Sequence, residues 1–292
     1  MVSDNGLPLQ EGPIHSLSHA PGQPKICTEH LPWLIGSPST RTARFKFWIN
    51  TLNRSSKLDH ILANTFPDID NNNNDLPRIL PIGHLINFHV TSKKANFFEE
   101  DFSCLEWLDN QLKGSVVYVS FGSWVSPIGE AKVKSLAMAL KATRRPFIWV
   151  LGESWRDGLP GRYFDEIKER GKIVSWAPQM EILQHEAVGF YLTHCGWNST
   201  VEAIQCRKSM LCFPVAGDQF LNCAYIVNTW RIGVRLNGLE EHDVVEGFAN
   251  LTMDLDGMNQ RIMALNDRFM GFSANCYKSM NNLKAFIHDL KH

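Results

Sequence analysis

Between residues 102 and 236, short apolar runs alternate with segments of helical periodicity. No other feature constrains the fold as much. SVVYVSFG (115–122), PFIWVL (146–151), KIVSW (172–176), VGFYLTH (188–194), MLCFPV (210–215) and IGVRL (232–236) are continuous apolar stretches rather than in–out alternations. A strand reads this way when both of its faces are buried, and parallel neighbours must be joined by a crossover, usually a helix. Between the first two runs, GEAKVKSLAMALKA (129–142) carries apolar residues at helical spacing. The pattern predicts an α/β domain with a doubly wound parallel sheet covered by helices on both faces.

The flanks differ. Residues 1–90 are rich in Pro, Asn and Ser, with a helix expected at TARFKFWINTL (42–52), a strand at HILANTF (60–66) and a polar loop at DIDNNNND (68–75). Residues 240–292 are helical in pattern. With 29 Lys plus Arg against 30 Asp plus Glu, the net charge is -1. No basic field exists to hold a nucleic acid or an anionic membrane surface, and neither is expected as a partner. Seven cysteines form no CxxC pair, which favours buried thiols over a disulfide or zinc framework. No apolar run approaches the ~20 residues of a membrane helix, and the opening MVSDNGLPLQEG lacks the charged and apolar regions of a secretory leader. The expectation is a cytoplasmic protein without an integral membrane segment.

Doubly wound domains bind ligands beyond the carboxyl ends of their strands. The loop HCGWNST (194–200) occupies such a position, between the strand VGFYLT and the helical STVEAIQC. Gly196 permits a tight turn, Asn198, Ser199 and Thr200 are helix-capping residue types, and Glu202 follows one turn later. A helix N-terminus suits a phosphate, with a dipole benefit of roughly 0.3–1 kcal/mol, up to about 2 when partly buried. A carboxylate at Glu202 can accept from a ribose diol. Neither a GxxxxGK[ST] loop nor a GxGxxG fingerprint is present, which removes the P-loop and nicotinamide-oxidoreductase readings.

The wider stretch WAPQMEILQHEAVGFYLTHCGWNSTVEAIQCRKSMLCFPVAGDQ (176–219) resembles the 44-residue donor-binding signature of plant family 1 UDP-glycosyltransferases. It does so in its WAPQ opening, in HCGWNS, in the glutamate that follows and in its P-x-x-x-D-Q close. CLEWLDNQLKGSVVYVSFGS (104–123) resembles the family's entry into its second domain, and LPWLIGSPSTRTARFKFW (31–48) the late part of its first. The resemblance implies a GT-B fold: a complete C-terminal Rossmann-like domain and a partial N-terminal Rossmann-like one. It divides the chain into a remnant of an acceptor-binding domain (1–90), a linker (91–110), a UDP-sugar-binding domain (111–255) and C-terminal helices (256–292) that pack back toward the N-terminal domain.

The same resemblance implies roles. Trp176 stacks on uracil, and Gln179 hydrogen-bonds it with help from the Ala177 backbone. Glu202 binds the ribose hydroxyls. His194, Asn198 and Ser199 bind the diphosphate, with Ser123 a further donor, while Trp197, Asp218 and Gln219 contact the sugar. A closing Gln is associated in the family with glucose donors. The implied reaction is inverting transfer from UDP-glucose, or a related UDP-sugar, to a hydroxyl of a small lipophilic acceptor in plant secondary metabolism. UDP-sugar is a co-substrate; no cofactor and no metal is expected, since His194 and Cys195, one His and one Cys adjacent in sequence, rarely ligate the same ion. His185 reads as structural.

One departure concerns the base. In the family it is a histidine in a Pro-rich, Gln-Gly-His type of turn after an N-terminal strand, oriented by an aspartate. No such turn is present, and His15 and His19 lie in GPIHSLSHAPGQ, which resembles a later loop. The first domain reads as beginning in its middle, so no catalytic residue is assigned. The alternative is a non-catalytic UDP-sugar-binding fragment, or a partner of an intact homologue.

Overall fold

The computed structural model describes residues 31, 37–65, 79–83, 100–122, 128–270 and 274–290. It forms two compact units, Met1–Lys93 with Ala264–His292, and Lys94–Met263. The polar tract 68–75, Ser123, His15 and His19 lie outside the described residues.

In the first unit, α1 (Pro38–Ser55) starts with Pro in its first turn behind the N-cap Ser37, whose side chain accepts from the Thr40 amide. Proline lacks an N–H that this turn does not need. The helix expected at 42–52 is thus present and longer at both ends. The strand expected at 60–66 is β1 (Ile61–Ala63), which pairs in parallel with β2 (Ile79–Pro81). β2 has no counterpart in the sequence reading. Its three residues end in a proline, which cannot donate to a ladder, and give no run long enough to register as a strand.

The second unit opens with α2 (Ser103–Leu108), a turn and a half that buries Cys104 and Leu108 and is too short for periodicity to detect. Then come β3 (Val116–Ser120), α3 (Glu130–Ala142), β4 (Phe147–Val150), a 3-10 turn (Glu153–Gly158), α4 (Tyr163–Ile167) and β5 (Gly171–Val174). The second half holds α5 (Gln179–Gln184), β6 (Val188–Thr193), α6 (Trp197–Gln205), β7 (Ser209–Cys212), α7 (Gln219–Ala224), a π turn (Tyr225–Thr229), β8 (Gly233–Arg235) and α8 (Glu241–Met253). Every apolar run named above overlaps one strand of a single parallel sheet, ordered β5-β4-β3-β6-β7-β8, with β5 and β7 each starting one residue before its run. Counted from β3, that is the 3-2-1-4-5-6 order of dinucleotide-binding sheets, with the reversal of winding between β3 and β6.

Both faces of the sheet are covered, as the unbroken apolar runs require. Val117, Val119, Phe147, Trp149, Phe190 and Leu192 join Leu136, Leu140, Val244 and Phe248 of α3 and α8 in one core. Tyr118 and Tyr191 face the other way, side by side across β3 and β6. The β3–β6 ladder shifts register between Val116 and Val117, leaving Gly189 as the extra residue. A Cβ at Gly189 would overlap the Gly114 carbonyl oxygen, so the bulge requires glycine.

Two further helices, α9 (Leu255–Met270) and α10 (Ala274–Asp289), complete the chain. Within the first unit, α10 packs on β2. Asn282 Nδ2 donates to the Pro81 carbonyl at 2.8 Å, and His60 meets Asp289 at 3.6 Å. Among the described residues, no helix is long and apolar enough to cross a membrane.

Candidate functional site

The carboxyl ends of β3 and β6, on either side of the winding reversal, carry the turns beginning Phe121-Gly122 and His194-Cys195-Gly196. The His194 imidazole lies between them. A Cβ on Gly122 would come within 2.6 Å of His194 Nε2, and one on Gly196 would overlap the same atom. Each turn therefore needs its glycine for the ring to fit, and Gly122 also has φ +74°. His194 is 7% exposed, and burial lowers its pKa from the ordinary 6.5 to about 4. At neutral pH it is an uncharged ring with one N–H and one acceptor nitrogen. Its Nδ1 is buried and has no hydrogen-bond partner among the described residues.

Helix α6 starts directly after this histidine. Its N-cap is Gly196, which offers no side-chain cap. Asn198, Ser199 and Thr200 therefore lie inside the first turn instead of capping it, a correction to the sequence reading. Thr200 closes that turn by bonding its amide and its hydroxyl to the Gly196 carbonyl, at 2.9 and 3.0 Å. Asn198 is exposed, Trp197 partly exposed and Ser199 buried. The positive end of a nine-residue helix thus opens at the carboxyl edge of the sheet.

On the other side, the 176–179 segment is held in place by its backbone. The Trp176 carbonyl accepts from the Asp101 amide at 3.1 Å, Ala177 is buried, and Pro178 is the N-cap of α5. Gln179, the first residue of α5, projects to α6. Its Nε2 donates to Ser199 Oγ at 3.2 Å and to Glu202 Oε2. Its Oε1 accepts from the hydroxyls of Tyr118 and Tyr191, at 3.1 and 3.2 Å. An amide has two donor hydrogens and two acceptor lone pairs, so Gln179 is fully committed. A bond to uracil requires it to exchange one of these partners.

At the end of the signature, Gln219 is buried, and its Oε1 accepts from the Val215 and Ala216 amides, both at 2.8 Å. Its carbonyl oxygen is spent on shaping the β7–α7 turn, and its Nε2 is the group it can extend to a ligand. Exposed Asp218, the N-cap of α7, accepts from Asn222 Nδ2 at 2.9 Å. That nitrogen also reaches the Cys195 carbonyl at 2.9 Å, tying this turn to the His194 loop. His185 bridges elsewhere: Nε2 lies 3.1 Å from Asp109 Oδ1, and Nδ1 accepts from the Ala187 amide at 3.2 Å.

Beneath the loop, the sulfurs of Cys195, Cys212 and Cys223 lie within 4.8 Å of one another, all buried. Burial pushes the Cys195 and Cys212 thiols well above their ordinary range. That opposes the thiolate form a metal ligand needs.

Residues 75–266 match the family model described as UDP-glucoronosyl and UDP-glucosyl transferase. UDP-glycosyltransferase 82A1 of Arabidopsis thaliana is 45% identical over 96% of this chain and 66% of its own length. The chain thus spans about two thirds of that relative. Among solved structures, UDP-glucose:anthocyanidin 3-O-glucosyltransferase in complex with UDP superposes with a TM-score of 0.79 at 26% identity, covering 96% of this chain and 65% of that one. Phytolacca americana UGT2 complexed with UDP-2fluoro-glucose and pterostilbene also gives 0.79, at 24% identity, covering 96% and 64%; it likewise has this fold.

Proposed function

Because the chain belongs to the UDP-glucoronosyl and UDP-glucosyl transferase family, we propose that the cluster of side chains at the carboxyl ends of β3 and β6 is the donor site for UDP-glucose in inverting sugar transfer to a hydroxyl of a small lipophilic acceptor. The observation that carries this reading is the cluster of Glu202, Gln179 and Ser199 beside the α6 N-terminus, at the winding reversal of the sheet. UDP in the solved anthocyanidin glucosyltransferase supports the choice of nucleotide.

In this reading Trp176 covers one face of the uracil and the Ala177 backbone reads its edge. Glu202 accepts from the ribose diol, and the first turn of α6 with His194 and Ser199 receives the diphosphate. Trp197, Asp218 and the Gln219 amide nitrogen face the sugar. During transfer the acceptor oxygen bonds the anomeric carbon as the bond from that carbon to the β-phosphate oxygen breaks. The electron pair stays on the UDP leaving group, and the acceptor proton passes to a base. Preorganised N–H groups and a helix dipole at the departing diphosphate lower the barrier without reorganisation. The base is not among the positions assigned here, so this chain contributes the donor half of the reaction. In this reading donor binding uses these side-chain and backbone groups without a metal or cofactor, and we place the protein in the cytoplasm.

Calorimetry tests the site. UDP-glucose binds the 292-residue chain, and Trp176→Ala and Glu202→Ala each weaken it by about tenfold or more, the scale of one aromatic stack or one charged hydrogen bond. Folded protein that gives no heat with UDP or UDP-glucose contradicts the proposal.

A further inference from the structure

The site holds two polar groups that the donor reading does not use. Tyr118 and Tyr191 are register partners on β3 and β6, the central strands of the sheet, and both side chains are buried. Their rings lie 5.1 Å apart at 32°. A hydroxyl buried this deeply has to find a partner. Both hydroxyls converge on one atom, Oε1 of Gln179, at 3.1 and 3.2 Å.

The direction of each bond follows from Glu202. A carboxylate accepts and cannot donate, so the Gln179 edge facing it must be Nε2. Oε1 then faces the tyrosines, and both hydroxyls must donate. Burial raises both tyrosines above their ordinary range, which keeps them as O–H donors at any physiological pH. The two donors hold the amide in one of its two flips. In the reverse flip, Oε1 would point at the Glu202 carboxylate.

We propose that Tyr118 and Tyr191 are positioning residues for ribose recognition: by fixing the Gln179 amide they hold the Glu202 carboxylate in the orientation that receives the ribose hydroxyls. The inference rests on the donor-site reading above. The tyrosines touch no ligand themselves. They act through Gln179, from the two central strands of the sheet.

The test separates ribose recognition from general damage by comparing two nucleotides. Affinities of the 292-residue chain for UDP and for 2′,3′-dideoxy-UDP, which lacks both ribose hydroxyls, are measured for the wild type, Tyr118→Phe, Tyr191→Phe and the double variant. The wild type favours UDP by about 10–100-fold, the scale of one charged hydrogen bond. In the double variant UDP binding weakens about tenfold, while dideoxy-UDP changes less than twofold, so the preference collapses. Equal weakening for both nucleotides, or an unchanged preference, overturns the positioning role. If the wild type binds UDP without preference over dideoxy-UDP, or binds neither, the donor-site reading fails and takes this inference with it. Should the double variant lose its cooperative melt, the single variants are read by the same ratio, since each keeps one hydroxyl on Oε1.

Discussion

His194 illustrates how much of this site is set by single atoms. Its ring occupies the space where two glycines have no Cβ. Gly196 has an ordinary φ of −60°, so Gly196→Ala acts through crowding of the imidazole alone. We expect it to cost about 1–3 kcal/mol, as overpacking does, measured by urea denaturation, and to weaken UDP binding. The same burial makes stability depend on pH. An unfolded histidine takes up a proton near pH 6.5, whereas the folded ring resists protonation until about pH 4. The unfolded state therefore binds more protons between these values, and stability falls as the pH drops through that window, by up to about 3 kcal/mol. Denaturation at pH 7 and pH 4.5 checks this: His194→Gln should flatten that part of the profile, while an unchanged profile would assign the acid sensitivity elsewhere. The residue scale is also where the sequence was least informative. Gly196 and His194 stand two positions apart in a recognisable motif, but Gly122 comes from the turn after β3, 72 residues before His194, and only the fold brings the two glycines onto one ring. The uracil role of Gln179 comes from the resemblance alone, and only the fold shows that two tyrosines, a serine and a carboxylate occupy its amide.

Strands and helices were far easier to read. The six runs of the second unit are legible because a strand buried on both faces must be apolar throughout, and each of them marks one strand to within a residue of its start. Short elements escaped. α2 spans six residues and β2 three, too few for either period to repeat. The register shift in the β3–β6 ladder was equally invisible, since Gly189 in VGFYLTH reads as a small residue and nothing more. In the fold it faces the Gly114 carbonyl at the amino end of the sheet, away from the His194 loop. Gly189→Ala should therefore destabilise the domain by at least about 1–3 kcal/mol. The variant molecules that remain folded should bind UDP as tightly as wild type. Denaturation and calorimetry on the same sample check both halves. A loss of affinity without loss of stability would mean that the ladder acts on the site directly.

At the scale of the molecule, the sheet, the signature and the helix N-terminus lie together in the Lys94–Met263 unit, while β1, β2 and α10 belong to the other. The donor site proposed here is built from residues of one unit alone. This is why a chain spanning 66% of its Arabidopsis relative can hold every residue assigned to the nucleotide sugar. The division of labour was legible in outline, because the signature is contiguous over 44 residues. The acceptor was not, since no motif in the chain encodes it. The most direct measurement is equilibrium binding of UDP-glucose against ADP-glucose, two ligands that share sugar, ribose and diphosphate and differ only in the base. The account predicts that UDP-glucose binds at least about tenfold more tightly, by the fit of uracil to Trp176 and Ala177, and that Glu202→Ala weakens both. Equal affinity for the two ligands, or binding indifferent to Glu202, would contradict it.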